Sequence, residues 1–375
     1  MTVPAPAGSE EWVRRVLTAH WGDRWGARTL TPLTVGGAAP LTHTAGLWAV
    51  TDPRDPSRTV GAGGTGHVLK VQLNPEAVRD ERFPRLKDRV VAHCRRRGVP
   101  ALPAVPAADG SPAVRCGGLV CELVPRSAGT ALRPGTATRD QAAALVRTGL
   151  DLRQALDALP PDVADELARV HLPPLVDEEH WPTALDDAER RLLPKAEQGT
   201  DHWHRAAAEN LRAVRESAPL LRRTHAAGTA SARPSVVHGD LHLQHFLFAP
   251  HGPARVVAVL DFDNLHTADR LLDLAWLADS VVHACGPGTE AARLALDGLV
   301  SDGQRRGLLR PGDTARLMPL LMAHALPVVV DIAKDILDRR ILAPQWLGYF
   351  DLLSPARRLA VHHMLTDRPA HTAAR

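Results

Sequence analysis

The stretch that most constrains this chain runs from Val236 to Asp263. Apolar residues at Val236, Val237, Phe246, Leu247 and Phe248 flank a polar island that holds His238, Asp240, His242 and His245. After the turn residues Ala249-Pro250-His251-Gly252-Pro253, the valine-rich run from Val256 to Leu260 reads as a buried strand ending at Asp261. A polar loop, a hairpin and a carboxylate at a strand end would hold two acidic groups in one pocket. Phosphoryl transfer from a metal nucleotide uses such a pair. One carboxylate orients the attacking hydroxyl and the other holds a divalent cation on the phosphates.

His238-Gly239-Asp240-Leu241-His242, followed by Leu260-Asp261-Phe262-Asp263, resembles the aminoglycoside phosphotransferase/choline kinase family, whose fold is similar to that of protein kinases. The family pattern is His-Gly-Asp, four residues, Asn, and later a metal-binding Asp. These parts occur here in order and at suitable spacing, with one departure: His245 stands where the family has Asn. The resemblance implies an α+β, protein-kinase-like two-lobe fold. Residues 1–122 would form a β-rich nucleotide-binding lobe, 123–367 a helical lobe, and 368–375 a disordered tail. It also implies ATP and Mg²⁺, with Mn²⁺ as the softer alternative if His245 contacts the metal, since imidazole suits softer cations than an amide oxygen does. Otherwise that contact would fall to water or to Gln244. Asp240 would orient and deprotonate the acceptor and Asp261 would bind the metal. His238, Asp263 and Asp273 would support them, Asp273 by bracing the catalytic loop.

Composition bounds the alternatives. At 375 residues and 45% hydrophobic the chain can bury a sizeable core. A net charge of +3 over that length does not point to nucleic acid. Cys94, Cys116, Cys121 and Cys285 form no CxxC pair or disulfide framework, so a reducing cytoplasm is the default location. The start Met-Thr-Val-Pro-Ala-Pro lacks the charged-then-apolar order of a secretion signal, and no apolar run approaches a membrane span. The 31 prolines and the Ala/Arg bias read as high-GC bacterial coding.

Along the chain, Ser9-Glu10-Glu11 opens an amphipathic helix carrying Trp12, Val13, Val16 and Leu17. Segments 30–35 and 47–50 read as strands, joined through Gly36 and Gly37. In a kinase-like lobe these glycines would let backbone N–H groups approach the nucleotide phosphates. His67-Val68-Leu69-Lys70-Val71 is a short strand with one lysine. Lys70 alone would be a solvated edge residue, but the resemblance assigns it to the α- and β-phosphates. Phe83, Leu86, Val90 and Cys94 mark a helix ending at Gly98-Val99-Pro100. Measured back from that ending, the family's Glu aligns with Asp88, the expected partner of Lys70; Glu81, before Pro84, is the alternative. Residues 118–124 read as a strand. By resemblance, Val120 to Leu123 would be the hinge whose backbone, at Cys121 and Leu123, binds adenine.

From Thr138 onward the pattern is helical. His202 and His204 sit two apart and would point away from each other on a helix, which argues against a metal there. Asp269, Asp273 and Trp276 share a helix with a leucine-rich run. Arginine pairs at 190–191, 222–223, 305–306, 339–340 and 357–358 fall in the segments where the family holds its acceptor. They argue for a neutral or anionic acceptor, either a small molecule or a peptide Ser/Thr, over a polycation. The competing reading is a pseudokinase, a nucleotide-binding or scaffold protein impaired with the loss of its Asn. No nucleic-acid or membrane partner is expected.

Overall fold

A computed structural model describes residues 8–35, 39–40, 45–52, 66–73, 80–170, 180–226 and 233–367. Packing divides the chain into two units. Met1–Thr130, Leu159–Pro173 and Phe246–Asp263 form the first; Ala131–Ala158, Pro174–His245 and Asn264–Arg375 form the second. The first division falls at Thr130 because the strand expected to end the lobe continues to Pro125 inside its sheet.

In the first unit, α1 (Glu10–Trp21) starts where the Ser9 hydroxyl accepts the Trp12 N–H. It buries Trp12, Val13, Val16, Leu17 and Trp21, and α2 (Asp23–Gly26) adds Trp25. Strands β1 (Thr29–Pro32), β4 (Ala45–Thr51), β5 (His67–Gln72), β6 (Val114–Cys116) and β7 (Leu119–Pro125) form one antiparallel sheet in the order β1-β4-β5-β7-β6. The short β2 (Thr34–Val35) and β3 (Ala39–Pro40) pair with each other. Alternation along the strands sorts their side chains. Leu69, Val71, Cys121 and Leu123 are fully buried with the α1 tryptophans, while Lys70, Gln72 and Glu122 take the opposite face. Helix α3 (Phe83–Arg96), with Pro84 in its first turn, buries Phe83, Leu86, Lys87, Val90, Val91 and Cys94. Arg89 on its outer side pairs with Asp162 and Glu166 of α5 (Pro161–Leu167). The hairpin of β10 (Phe246–Phe248) and β11 (Val256–Val259) belongs to this unit, where the Val259 N–H donates to the Pro100 carbonyl at 2.9 Å. The chain leaves the unit through β8 (Thr130–Ala131).

Among its described residues, the second unit is mainly helical and carries a two-stranded ladder. Thr138 and Gln141 form a reciprocal capping box that starts α4 (Arg139–Asp157). Next come α6 (Trp181–Asp187), a π-helical turn, α7 (Leu193–Gln198) and α8 (His202–Ala226). The ladder pairs β9 (Pro234–Val237) with β12 (His266–Asp269). Every residue of α9 (Leu271–Cys285) is buried. α10 (Glu290–Arg305), α11 (Thr314–Lys334), α12 (Gln345–Leu352) and α13 (Pro355–Thr366) complete the unit. α11 runs through Pro319 and Pro327, whereas Pro344 caps α12. Among the described residues, no helix is long and apolar enough to cross a membrane.

Candidate active site

In the first unit, the polar face of β5 and β7 meets the end of the hairpin in a five-charge cluster. Lys70 Nζ lies 2.8 Å from Asp261 Oδ1 and 2.6 Å from Asp263 Oδ2. Lys87 Nζ bridges Asp263 Oδ1 at 2.6 Å and Glu122 Oε2 at 2.5 Å. The Gln72 amide donates to Asp263 Oδ2 at 2.7 Å. Burial works against the Lys70 ammonium, but the two aspartates outweigh it and hold its pKa above the ordinary lysine value. Burial likewise opposes ionisation of Asp263, yet Lys70 and Lys87 together hold that carboxyl well below its usual range. Glu122 goes the other way, because burial and then Asp263 raise its pKa against the pull of Lys87. Asp261 has a φ of +60°, a left-handed conformation that costs a non-glycine residue energy and is kept where surroundings enforce it.

Sequence reasoning paired Lys70 with Asp88, and the structure corrects this. Asp88 forms no ion pair with Lys70. Its neighbour Lys87 lies in the buried stripe, four residues after Phe83 and three before Val90, while Asp88 is turned about 100° out of it. The missed residues Lys87 and Glu122 were signalled by that spacing and by the strand register, which sets Glu122 directly opposite Lys70. The expected hinge is corrected too. Cys121 is paired with Val71 on one side and Val114 on the other. Leu123 is paired with Leu69, and its carbonyl accepts the Val105 N–H at 2.7 Å. Both are core residues inside the sheet, not hinge positions. Gly36 and Gly37 lie outside the described residues.

In the second unit, the loop after β9 is anchored through its backbone at His238, Gly239 and Leu241. The His238 and Gly239 N–H groups donate to the two oxygens of Asp273, at 3.0 and 3.1 Å. The Trp276 indole N–H donates to the Gly239 carbonyl at 3.1 Å, and the Ser280 hydroxyl to the Leu241 carbonyl at 3.1 Å. Asp273 is itself held by the fully buried Arg153 at 2.7 Å, whose guanidinium also donates to the Val236 carbonyl at 2.6 Å. Asp273 thus links Arg153 to the backbone of the loop. Arg153, on the buried face of α4, gave no signal in the sequence beyond an arginine inside an apolar stripe.

Asp240, at the loop's tip, is partly exposed and receives the Asn264 amide N–H on Oδ2 at 3.2 Å. Ligand atoms of Asp240, His242 and His245 lie within 4.8 Å of one another. Hydrogen bonding gives the two rings different characters. The Gln244 N–H donates to His242 Nδ1 at 3.2 Å, so the neutral ring carries its proton on Nε2 and turns a donor, not a lone pair, toward Asp240. Burial, and then the adjacent imidazoles, push His242 well below its ordinary range and keep it neutral. His245 Nδ1 faces the Asp240 carbonyl at 2.7 Å, so it is the donor and Nε2 carries the lone pair. Of the two, His245 is thus the one suited to a cation.

A family model described as "Phosphotransferase enzyme family" matches residues 64–309. No curated protein matches the sequence at a significant level. Among solved structures, a spectinomycin phosphotransferase in complex with ADP and spectinomycin superposes with a TM-score of 0.63 at 10% identity, covering 94% of this chain and 98% of that one. A microcompartment-associated aminopropanol kinase gives 0.60 at 16% identity, covering 96% and 98%. An amicoumacin kinase in complex with AMP-PNP and Ca²⁺ gives 0.58 at 13% identity, covering 96% and 94%. At such identities the likeness is one of fold, and that fold is the kinase-like α+β one. With two-thirds of its length matched by the family model, the chain belongs to the APH phosphotransferase enzyme family.

Proposed function

We propose that this protein transfers the γ-phosphate of a nucleoside triphosphate, ATP, to a hydroxyl group of a neutral or anionic acceptor. The observation that carries the reading is Asp240. It is a carboxylate at the tip of a loop whose backbone is held by Asp273, Trp276 and Ser280, so it meets an incoming hydroxyl without reorganising. Asp240 orients the acceptor hydroxyl and takes its proton as the oxygen–phosphorus bond forms. Lys70 supplies positive charge for the phosphates, exchanging its present carboxylate partners for phosphate oxygens.

The donor set suits a hard divalent cation. Asp261 and Asp263 offer carboxylate oxygens, and Gln72 Oε1 is buried with no hydrogen-bond partner among the described residues, an acceptor such an ion or its water satisfies. Asp261, helped by Asp263, would hold Mg²⁺, and His245 would favour Mn²⁺ as the alternative. The bound ion would neutralise phosphate charge.

The acceptor reading rests on charge, and the structure changes its basis. The arginines expected to face the acceptor are largely neutralised: Arg191 by Asp187 and Asp338, Arg306 by Asp151, Arg339 by Asp331 and Asp335, and Arg357 by Asp279. The same pairs consume the acids that a polycation would need. This favours a neutral hydroxyl compound over a polyamine. The pseudokinase alternative is disfavoured, since Asp240, Lys70 and Asp261 are all retained. The test is γ-phosphate consumption across a panel of neutral antibiotics, sugars, hydroxyl-bearing peptides and kanamycin-like polyamines, with Asp240→Asn as control. Loss of about 10²–10⁴-fold in transfer is expected in that variant, with nucleotide binding intact. A near wild-type rate would remove Asp240 from the reaction.

A further inference from the structure

We infer that Asn264, at the end of the turn Phe262–Asn264 just before β12, is a positioning residue for Asp240, to whose carboxylate its amide donates. The inference rests on the phosphotransferase reading and adds to it a residue that no motif in the sequence singles out.

The argument begins with strand register. β9 and β12 pair antiparallel with Val237 opposite His266. Continuing that register past the last paired residues sets Gly239 opposite Asn264, so the two chains run on side by side into the loop. Only glycine allows this approach. Gly239 has φ +79°, and a Cβ there would fall 2.6 Å from the Asn264 carbonyl oxygen. That carbonyl is fixed in turn, because it accepts from His266 Nδ1 at 2.6 Å while the His266 ring stacks on His324 at 6.0 Å and 6°. With its backbone held from both sides, Asn264 extends its amide N–H to Asp240 Oδ2 at 3.2 Å.

A hydrogen bond to one oxygen fixes the plane in which the carboxylate meets an acceptor hydroxyl. The residue type matters: an aspartate at 264 would have the same shape but no donor, and would repel Asp240. His245, in the place where an asparagine would sit on the loop, directs its Nδ1 to the Asp240 backbone carbonyl. The side chain of Asp240 takes an amide donor from Asn264.

The test uses the whole chain with the acceptor found in the panel, measuring kcat and the KM of each substrate. Asn264→Ala should lower kcat on the order of tenfold to a hundredfold, the range for a hydrogen bond to a charged group. KM for the metal nucleotide should stay unchanged, a split between kcat and KM that a merely structural loss would not give. Asn264→Asp, which keeps the side-chain shape, should lose more. This second variant keeps the test decisive if the alanine variant folds poorly. Unchanged kcat in both variants, with Asp240→Asn inactive, would overturn the positioning role and leave the phosphotransferase reading standing. An active Asp240→Asn protein would overturn both.

Discussion

Lys87 and Asp263 are joined at 2.6 Å, so the helix packed on the sheet contributes a cation where an acid was expected. The acid is on the sheet instead: Glu122, opposite Lys70 in the register, takes the other side of the Lys87 ammonium. Two ammonium groups and three carboxylates thus share one mostly buried cluster, and each lysine touches two of the acids. The two lysines hold the Asp263 carboxyl well below its usual range.

Removing Lys87 should therefore be costly. Lys87→Met leaves Asp263 with one cation and Glu122 with none, at positions where the side chains are 21% and 14% exposed. Breaking a buried pair by deleting one partner typically costs about 3–5 kcal/mol. Glu122→Gln in the same background should recover part of the loss by removing the stranded charge. Denaturant unfolding of the single and double variants checks both expectations, and a Lys87→Met protein as stable as wild type would contradict the first.

The cluster also sets a pH dependence with two opposite signs. Asp263 titrates below its ordinary value of 3.8, held down by the lysines against burial, so its contribution is present above that pH and lost as pH falls through the folded value. Glu122 titrates above its ordinary 4.5, chiefly through burial, so its contribution is present below 4.5 and lost as pH rises through the folded value. Relative to Glu122→Gln, wild type should lose unfolding free energy as pH rises above about 4.5. Relative to Asp263→Asn, it should lose it as pH falls below about 3.8. Urea titrations at closely spaced pH values measure both differences, and a difference flat in pH would rule out the corresponding assignment.

What the sequence made legible was whatever local pattern dictates. The alternating strand around Lys70, the loop containing Asp240 and the valine-rich strand before Asp261 all show in the residues themselves. Asp273, eight residues into a leucine-rich segment after Leu265, was legible only because the resemblance gave it a role. The residues that escaped depend on long-range register. Glu122 and Lys70 meet across 52 positions of chain, and Asn264 reaches Asp240 only because Val237 and His266 pair. Asp88 was preferred over Lys87 because an acid was sought, although the apolar spacing of α3 already placed position 87 inward. The strand that holds Cys121 and Leu123 runs on to Pro125, an end that composition does not locate when the run simply continues to a proline.

His245 should leave a mark on metal preference. Its Nε2 carries the lone pair, and an imidazole nitrogen suits Mn²⁺ better than Mg²⁺. The ratio of Mn²⁺- to Mg²⁺-supported activity should fall in His245→Asn. An identical ratio in the two proteins would restrict His245 to its hydrogen bond with the Asp240 carbonyl.

Asp261 combines a functional charge with an unfavourable backbone, and the two can be separated. Its φ of +60° lies in the left-handed region, which costs an ordinary L-residue about 1–2 kcal/mol and glycine almost nothing. Asparagine also tolerates that region, through its short polar side chain. Both Asp261→Gly and Asp261→Asn should therefore fold well, with Asp261→Ala the less stable variant by about 1 kcal/mol. All three remove the carboxylate that Lys70 now holds at 2.8 Å and that would hold the cation. All three should lose metal-dependent nucleotide binding, whatever their stability, because phosphate charge is then met by Lys70 alone. Thermal unfolding ranks the backbone effect and calorimetry with Mg·ATP reads the charge effect. Unchanged Mg·ATP affinity in the well-folded asparagine variant would show that Asp261 is not the metal carboxylate, and an alanine variant as stable as the glycine one would show that the left-handed turn is not enforced.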